Sequence, residues 1–178
     1  MESGRVSPLS TGDVAPRSAL QGRRGPQSWL PFVVLAMSML VPWLGAWDHP
    51  LHSPDEGRYG VVSAAMAESD EWLVPHFRGA PHLTKPPLIY WLQGGVIEVI
   101  GRSELALRVP SLVAGSLACL VLFLFVRRLR GVEMAMLAVA LYGVMPLPLF
   151  FARVATIDGV LNALWLGGLV CAALAIDG

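Results

Sequence analysis

Lysine is almost missing from this chain. Of its thirteen cationic side chains twelve are arginine, and Lys85 is the one lysine. Charge of either sign is scarce, 15% of residues where a soluble domain carries about 25%. With 54% hydrophobic residues and a mean hydropathy of +0.58, that scarcity excludes an ordinary soluble domain and makes the membrane the default solvent. Net charge is zero and the cations are scattered, so no nucleic-acid-binding surface is expected. There are two cysteines, Cys119 and Cys171, both inside apolar runs and without metal-ligand spacing. They read as small buried hydrophobes and define no redox compartment.

What the chain has in quantity is apolar runs. Residues 1–28 are rich in Ser, Gly, Pro and Arg without apolar periodicity, which predicts a disordered tail. Arg17, Arg23 and Arg24 against Asp13 make that tail basic beside the first run, residues 29–47, and the positive-inside bias puts the N-terminus in the cytoplasm. Nineteen residues span a hydrocarbon core of about 30 Å. A cleaved signal peptide is the rival reading, but its apolar region is shorter and Gly45-Ala46-Trp47-Asp48 is a poor cleavage site.

Residues 48–109 read as a long extracytoplasmic segment holding all four histidines (His49, His52, His76, His82) and Lys85. Ser53-Pro54-Asp55-Glu56 has the form of a capping box, opening a helix to about Ala67 with Tyr59, Val62 and Met66 on one apolar face. Residues 72–77 are expected to be extended and Gly79-Ala80-Pro81 to turn. A second helix, residues 87–100, is too short to span comfortably, carries Glu98 and is interrupted by Gly94-Gly95. If it lies at the outer surface, the run 110–126 brings Arg127, Arg128 and Arg130 into the cytoplasm as the charge bias requires; if it spans, they are stranded outside. The surface position is therefore expected. Runs 132–151, with Pro146 and Pro148 kinking its outer part, and 159–176 complete an expected all-α integral membrane protein, a polytopic bundle of about four transmembrane helices with two juxtamembrane helices.

This topology puts Asp55, Lys85 and Asp158 on one outer face. Each has a plainer reading: Asp55 and Glu56 complement a helix dipole, Asp158 caps the last helix, and Lys85 snorkels at the interface. A lone lysine among arginines points the other way, to a compact point charge. A carboxylate at mid-membrane costs about 2.5 to 3.5 kcal/mol, which keeps Asp158 at the interface. His49 and His52, near Asp55, are spaced to allow a metal, and a divalent metal stays open as a cofactor.

The ordered set Asp55-Glu56-Gly57-Arg58-Tyr59, Glu71-Trp72-Leu73-Val74-Pro75-His76-Phe77-Arg78-Gly79, Lys85-Pro86-Pro87-Leu88-Ile89-Tyr90-Trp91-Leu92, Arg108-Val109-Pro110-Ser111 and Ala152-Arg153-Val154-Ala155-Thr156-Ile157-Asp158 resembles the N-terminal part of the undecaprenyl phosphate aminoarabinose transferases. These are similar to the wider protein O-mannosyltransferase-like group of GT-C membrane glycosyltransferases, and the resemblance covers about residues 40–176. It implies a GT-C fold and transfer of a sugar from a polyprenyl-phosphate donor to a lipid A-like or protein acceptor, at the periplasmic face of a bacterial inner membrane. It implies catalytic roles for Asp55, Lys85 and Asp158, with Glu56, Arg58 and Tyr59 as substrate-binding residues. An acid often precedes the lysine in this family; Thr84 stands there here, so the metal contact attributed to that acid has no counterpart at this position. Such enzymes are several times longer, so an N-terminal fragment is expected. A non-catalytic polytopic membrane protein, a transporter piece or an interaction remnant, is the alternative of a different class.

Overall fold

The structure, a computed structural model, describes residues 29–47, 50–51, 54–69 and 71–176. The expected tail over residues 1–28, the capping residue Ser53, and the histidines His49 and His52 fall outside the described residues.

Helix α1, Leu30–Leu40, opens on Pro31 and runs into a 3₁₀ turn, Val41–Trp43. The apolar run predicts 19 helical residues, but Pro42 has no amide hydrogen to continue the ladder, so the α-helix stops at Leu40 and tightens. Helix α2, Pro54–Ser69, begins on a proline with Asp55 and Glu56 in its first turn, where acids suit the helix dipole. It extends two residues past the expected Ala67.

A two-stranded hairpin follows, β1 His76–Phe77 and β2 Ala80–Pro81, in the register His76 to Pro81 and Phe77 to Ala80. Its loop is Arg78-Gly79, with φ of 52° and 81°, one residue earlier than the turn expected at Gly79-Ala80-Pro81. Two left-handed residues in a two-residue loop match the strand twist, so Ala80 and Pro81 are free to pair. Helix α3, Leu88–Ile100, packs on α2 and on α4, Glu104–Arg130.

Helix α4 is the long member. Ser103 Oγ accepts from the Ala106 amide at 3.1 Å, starting the helix six residues before the expected 110, and it continues four residues past the expected 126. Arg108 and Pro110, which read as a boundary in the sequence, lie inside the helix and are buried. Pro110, in the second turn, lacks the amide that would bond to Ala106 O. Helix α5, Val132–Val144, and helix α6, Pro146–Arg153, form a pair bent by 62° at Met145, where two prolines enter the sequence. Helix α7, Ile157–Ile176, closes the chain's described part and packs along α4.

By length and composition α4 and α7 are long and apolar enough to cross a membrane, and the bent α5–α6 pair makes a third if it is one broken span. Leu30–Trp43 and α3 are apolar but shorter. The molecule is thus a polytopic helical membrane protein. One apolar cluster, around Tyr59, Met66, Ile89, Tyr90 and Val160, joins α2, α3 and α7 at one end; another, around Phe123, Ala135 and Val139, joins α1, α4 and α5 at the other.

Polar side chains tie the first end together. Gln93 is fully buried; its amide donates to Leu107 O at 2.9 Å and Ala155 O at 3.2 Å, and its carbonyl accepts from Ser63 Oγ at 2.8 Å. Ser111 Oγ donates to Thr156 O at 3.1 Å. Two carbonyls of the short link between α6 and α7, those of Ala155 and Thr156, are therefore satisfied by side chains of α3 and α4, as non-helical backbone in a membrane protein requires.

Candidate active site

At this end of the bundle a cavity of about 560 Å³ opens between the first turn of α2, the start of α7, the N-terminal part of α4 and one face of α6. Asp55, Glu56, Arg108, Arg153 and Asp158 line it, together with the apolar residues Pro146, Leu149, Phe150 and Phe151 of α6. Charged groups together with an apolar wall suit a ligand that is part polar and part hydrocarbon.

Asp55 is exposed at the cavity, its side chain 64% accessible, and Arg58 Nη2 lies 3.3 Å from its Oδ1. A pair this open is worth little in stability. Asp158 is exposed in the first turn of α7. The Tyr59 hydroxyl reports on both acids. Burial pushes it above its ordinary range, the nearby carboxylates of Asp158 and Asp55 push it further, and Arg58 and the Ile157 backbone oppose them. Its ring packs 5.5 Å from that of Tyr90, whose hydroxyl is pushed up to about 12, chiefly by burial and then by Tyr59. Both phenols stay protonated at physiological pH.

Glu56 and Arg108 are the buried charges, with side chains 1% and 4% accessible and Arg108 Nε 3.7 Å from Glu56 Oε1. Glu56 Oε1 also accepts from the Ala155 amide at 2.7 Å. Arg108 donates to Ala46 O at 2.8 Å and Pro50 O at 3.0 Å. Arg153 does the same one turn further back, donating to the carbonyls of Val41, Pro42 and Leu44 at 2.9 to 3.2 Å. The two guanidiniums thus hold the chain that leaves α1, and planar forks with several donors are suited to bracing such a segment.

The structure brings Asp55, Glu56 and Asp158 to one cavity and sets Arg58 and Tyr59 beside them. Lys85 is elsewhere: exposed on the loop between β2 and α3, it does not line the cavity. The hairpin that leads to it packs near α2 and α3, with His82 between Phe77 and Tyr90 at ring separations of 5.8 and 6.1 Å. Among the described residues no group of three or more His, Cys, Asp or Glu is placed to hold a metal ion. Sequence reasoning assigned no role to Arg153 in the site and named Arg108 only within a motif. The signal that would have found Arg108 is an ionisable residue inside an otherwise apolar membrane helix.

The fold and the site define a polytopic helical membrane protein with a charged, half-apolar cavity at one end. Residues 84–177 match the family described as dolichyl-phosphate-mannose-protein mannosyltransferase, and the chain belongs to that family. It is similar to the undecaprenyl phosphate-alpha-4-amino-4-deoxy-L-arabinose arabinosyl transferase of Pseudomonas paraeruginosa, 35% identical over 116 residues, covering 65% of this chain and 21% of the relative. The enzyme of the same name from Edwardsiella ictaluri is 32% identical over 145 residues, 80% of this chain and 26% of the relative. The crystal structure of ArnT from Cupriavidus metallidurans bound to undecaprenyl phosphate shares the fold, with a TM-score of 0.68 and 24% identity over 82% of this chain and 27% of that one. The chain spans about a fifth to a quarter of the length of these relatives.

Proposed function

We propose that this chain forms part of a membrane glycosyltransferase that moves a sugar from a polyprenyl-phosphate donor to a lipid A-like or protein acceptor at the extracytoplasmic face. The observation that carries the reading is the single cavity shared by Asp55 and Asp158, with an apolar wall from α6. Family membership and relatives named as transferases of an undecaprenyl phosphate-linked aminopentose support it.

Charge supports the sidedness. Arg108, at the cavity, and Arg127, first of the basic triplet, are nineteen residues apart on α4, about 28 Å at 1.5 Å per residue. The triplet in the cytoplasm leaves the cavity on the other side of the membrane. In this reading the protein is a multi-pass protein of the bacterial inner membrane with a periplasmic active face and a cytoplasmic N-terminus.

Asp55 is then the general base. It takes the proton of an acceptor hydroxyl as that oxygen attacks the sugar's anomeric carbon, and the bond from that carbon to the phosphate oxygen breaks, releasing polyprenyl phosphate. With a phosphate acceptor, already ionised, Asp55 instead orients the nucleophile and stabilises positive charge growing on the sugar. Arg58, which pairs with Asp55, and Lys85 offset the negative charge growing on the leaving phosphate. Asp158 positions the sugar or acceptor, and the apolar wall of α6 takes hydrocarbon.

Transfer of undecaprenyl phosphate-linked aminoarabinose to lipid A, assayed in membranes holding the protein, tests this. Asp55→Asn is expected to lower turnover by about 10²- to 10⁴-fold, and Lys85→Ala to do likewise, with membrane insertion intact. Undiminished transfer in both variants would sink the proposal.

A further inference from the structure

We infer that Glu56 is a positioning residue, a buried strut that sets Asp55 against Asp158, and not a group that touches substrate. The inference rests on the catalytic reading given above and deepens it. Adjacent residues on a helix point about 100° apart, so Asp55 is exposed at the cavity while Glu56, at its inner wall, is buried. There its Oε1 accepts from the Ala155 amide at 2.7 Å. Ala155 lies three residues before Asp158, in the link that enters α7.

That bond links the helix bearing Asp55 to the segment that leads into Asp158, as the bond between the Tyr59 hydroxyl and the Ile157 backbone also does. A charge-assisted bond to a backbone amide is among the stronger and more directional contacts available. The link is held at two further points. Its carbonyls are held by Gln93 at Ala155 and by Ser111 at Thr156. The carboxylate in turn faces Arg108 at 3.7 Å, whose own guanidinium is fixed on the carbonyls of Ala46 and Pro50. A carboxylate 1% accessible and already engaged on an amide is poorly disposed to bind a sugar. It is well disposed to keep two other carboxylates at a set distance.

The test joins a distance with kinetics. Spin labels at Val61→Cys on α2 and Leu161→Cys on α7, both exposed positions, are introduced after Cys171→Ala. Dipolar spectroscopy then reads the separation of the helices. Glu56→Leu is expected to broaden the distance distribution and lower kcat by about 100-fold, with the KM for undecaprenyl phosphate-linked aminoarabinose unchanged. Glu56→Gln keeps an acceptor for the Ala155 amide, so it should keep the narrow distribution and retain more turnover than Glu56→Leu.

An unchanged distribution in Glu56→Leu overturns the proposal. So does a raised KM at unchanged kcat in Glu56→Gln, which marks a substrate contact and can be read even where Glu56→Leu does not fold. Asp55→Asn in the same labelled protein should lose transfer with the distribution still narrow. If transfer persists there, the catalytic reading fails while the distance result for Glu56 stands by itself.

Discussion

Arg108 shows how single charges shape this molecule. It sits on a membrane-length helix, buried, where an arginine without partners would be costly. It lies against the Glu56 carboxylate and donates to two carbonyls, so removing it takes a counter-charge away from buried Glu56. Arg108→Leu is therefore expected to destabilise the protein by about 3 to 5 kcal/mol, seen as a lower midpoint in thermal unfolding of detergent-solubilised protein. Glu56→Gln with Arg108→Leu should recover part of that loss, since no unpaired charge remains. Tyr90 makes a separate claim about pH. Its folded hydroxyl titrates near 12 against an ordinary value of 10, so the unfolded chain loses this proton first. The stability it contributes is full below pH 10 and disappears as pH rises through about 12. Unfolding followed across that window should show a smaller alkaline loss in Tyr90→Phe than in the parent, and an equal loss would remove Tyr90 as its cause.

Helix α6 is the element on which the cavity depends, because it supplies the apolar wall and its last residue, Arg153, braces the end of α1. It can lie this close to its neighbours because small residues face it. A Cβ on Gly115 of α4 would stand 2.7 Å from the Cβ of Ala152, and one on Gly159 of α7 would stand 2.5 Å from the carbonyl oxygen of Phe151. Small residues that let backbones approach are how membrane helices associate without a hydrophobic drive between them. Gly115→Val should push α6 outward at a cost of about 1 to 3 kcal/mol, measured as a fall in the unfolding midpoint. The break that frees α6 from α5 was legible in Pro146 and Pro148, as were the starts of α2 and α3 in Pro54 and Pro87. The true ends of α4 were not. Arg108 and Pro110 look like helix-ending residues until the partners of Arg108, which come from α2 and from the chain after α1, are known. The Arg78-Gly79 loop was misread by one residue because a non-glycine residue with positive φ leaves no compositional mark.

At the scale of the whole molecule, the apolar runs were enough to predict a polytopic helical protein, since their length is a direct demand of the bilayer. Their number as complete helices was harder to read, because Pro42 shortens the first and the third is broken at Met145. The approach of Asp55 and Asp158 was readable only through topology: two acids 103 residues apart share a face if α3 does not cross the membrane. Lys85 carried the same expectation, yet it stands on the loop between β2 and α3 and does not line the cavity. Local pattern had no means of telling a loop position from a cavity-lining one. The bonds from Glu56 and Gln93 to Ala155 were also beyond sequence reasoning, because they pair residues with no periodic relation.

The central claim is that the charged end of the bundle faces away from the cytoplasm and the arginine-rich end of α4 faces into it. Single cysteines in a Cys171→Ala background, at Asp158 and at Arg128, test it with a membrane-impermeant thiol reagent applied to intact cells. The account requires Asp158→Cys to label from outside and Arg128→Cys to label only after permeabilisation; the reverse pattern would contradict it.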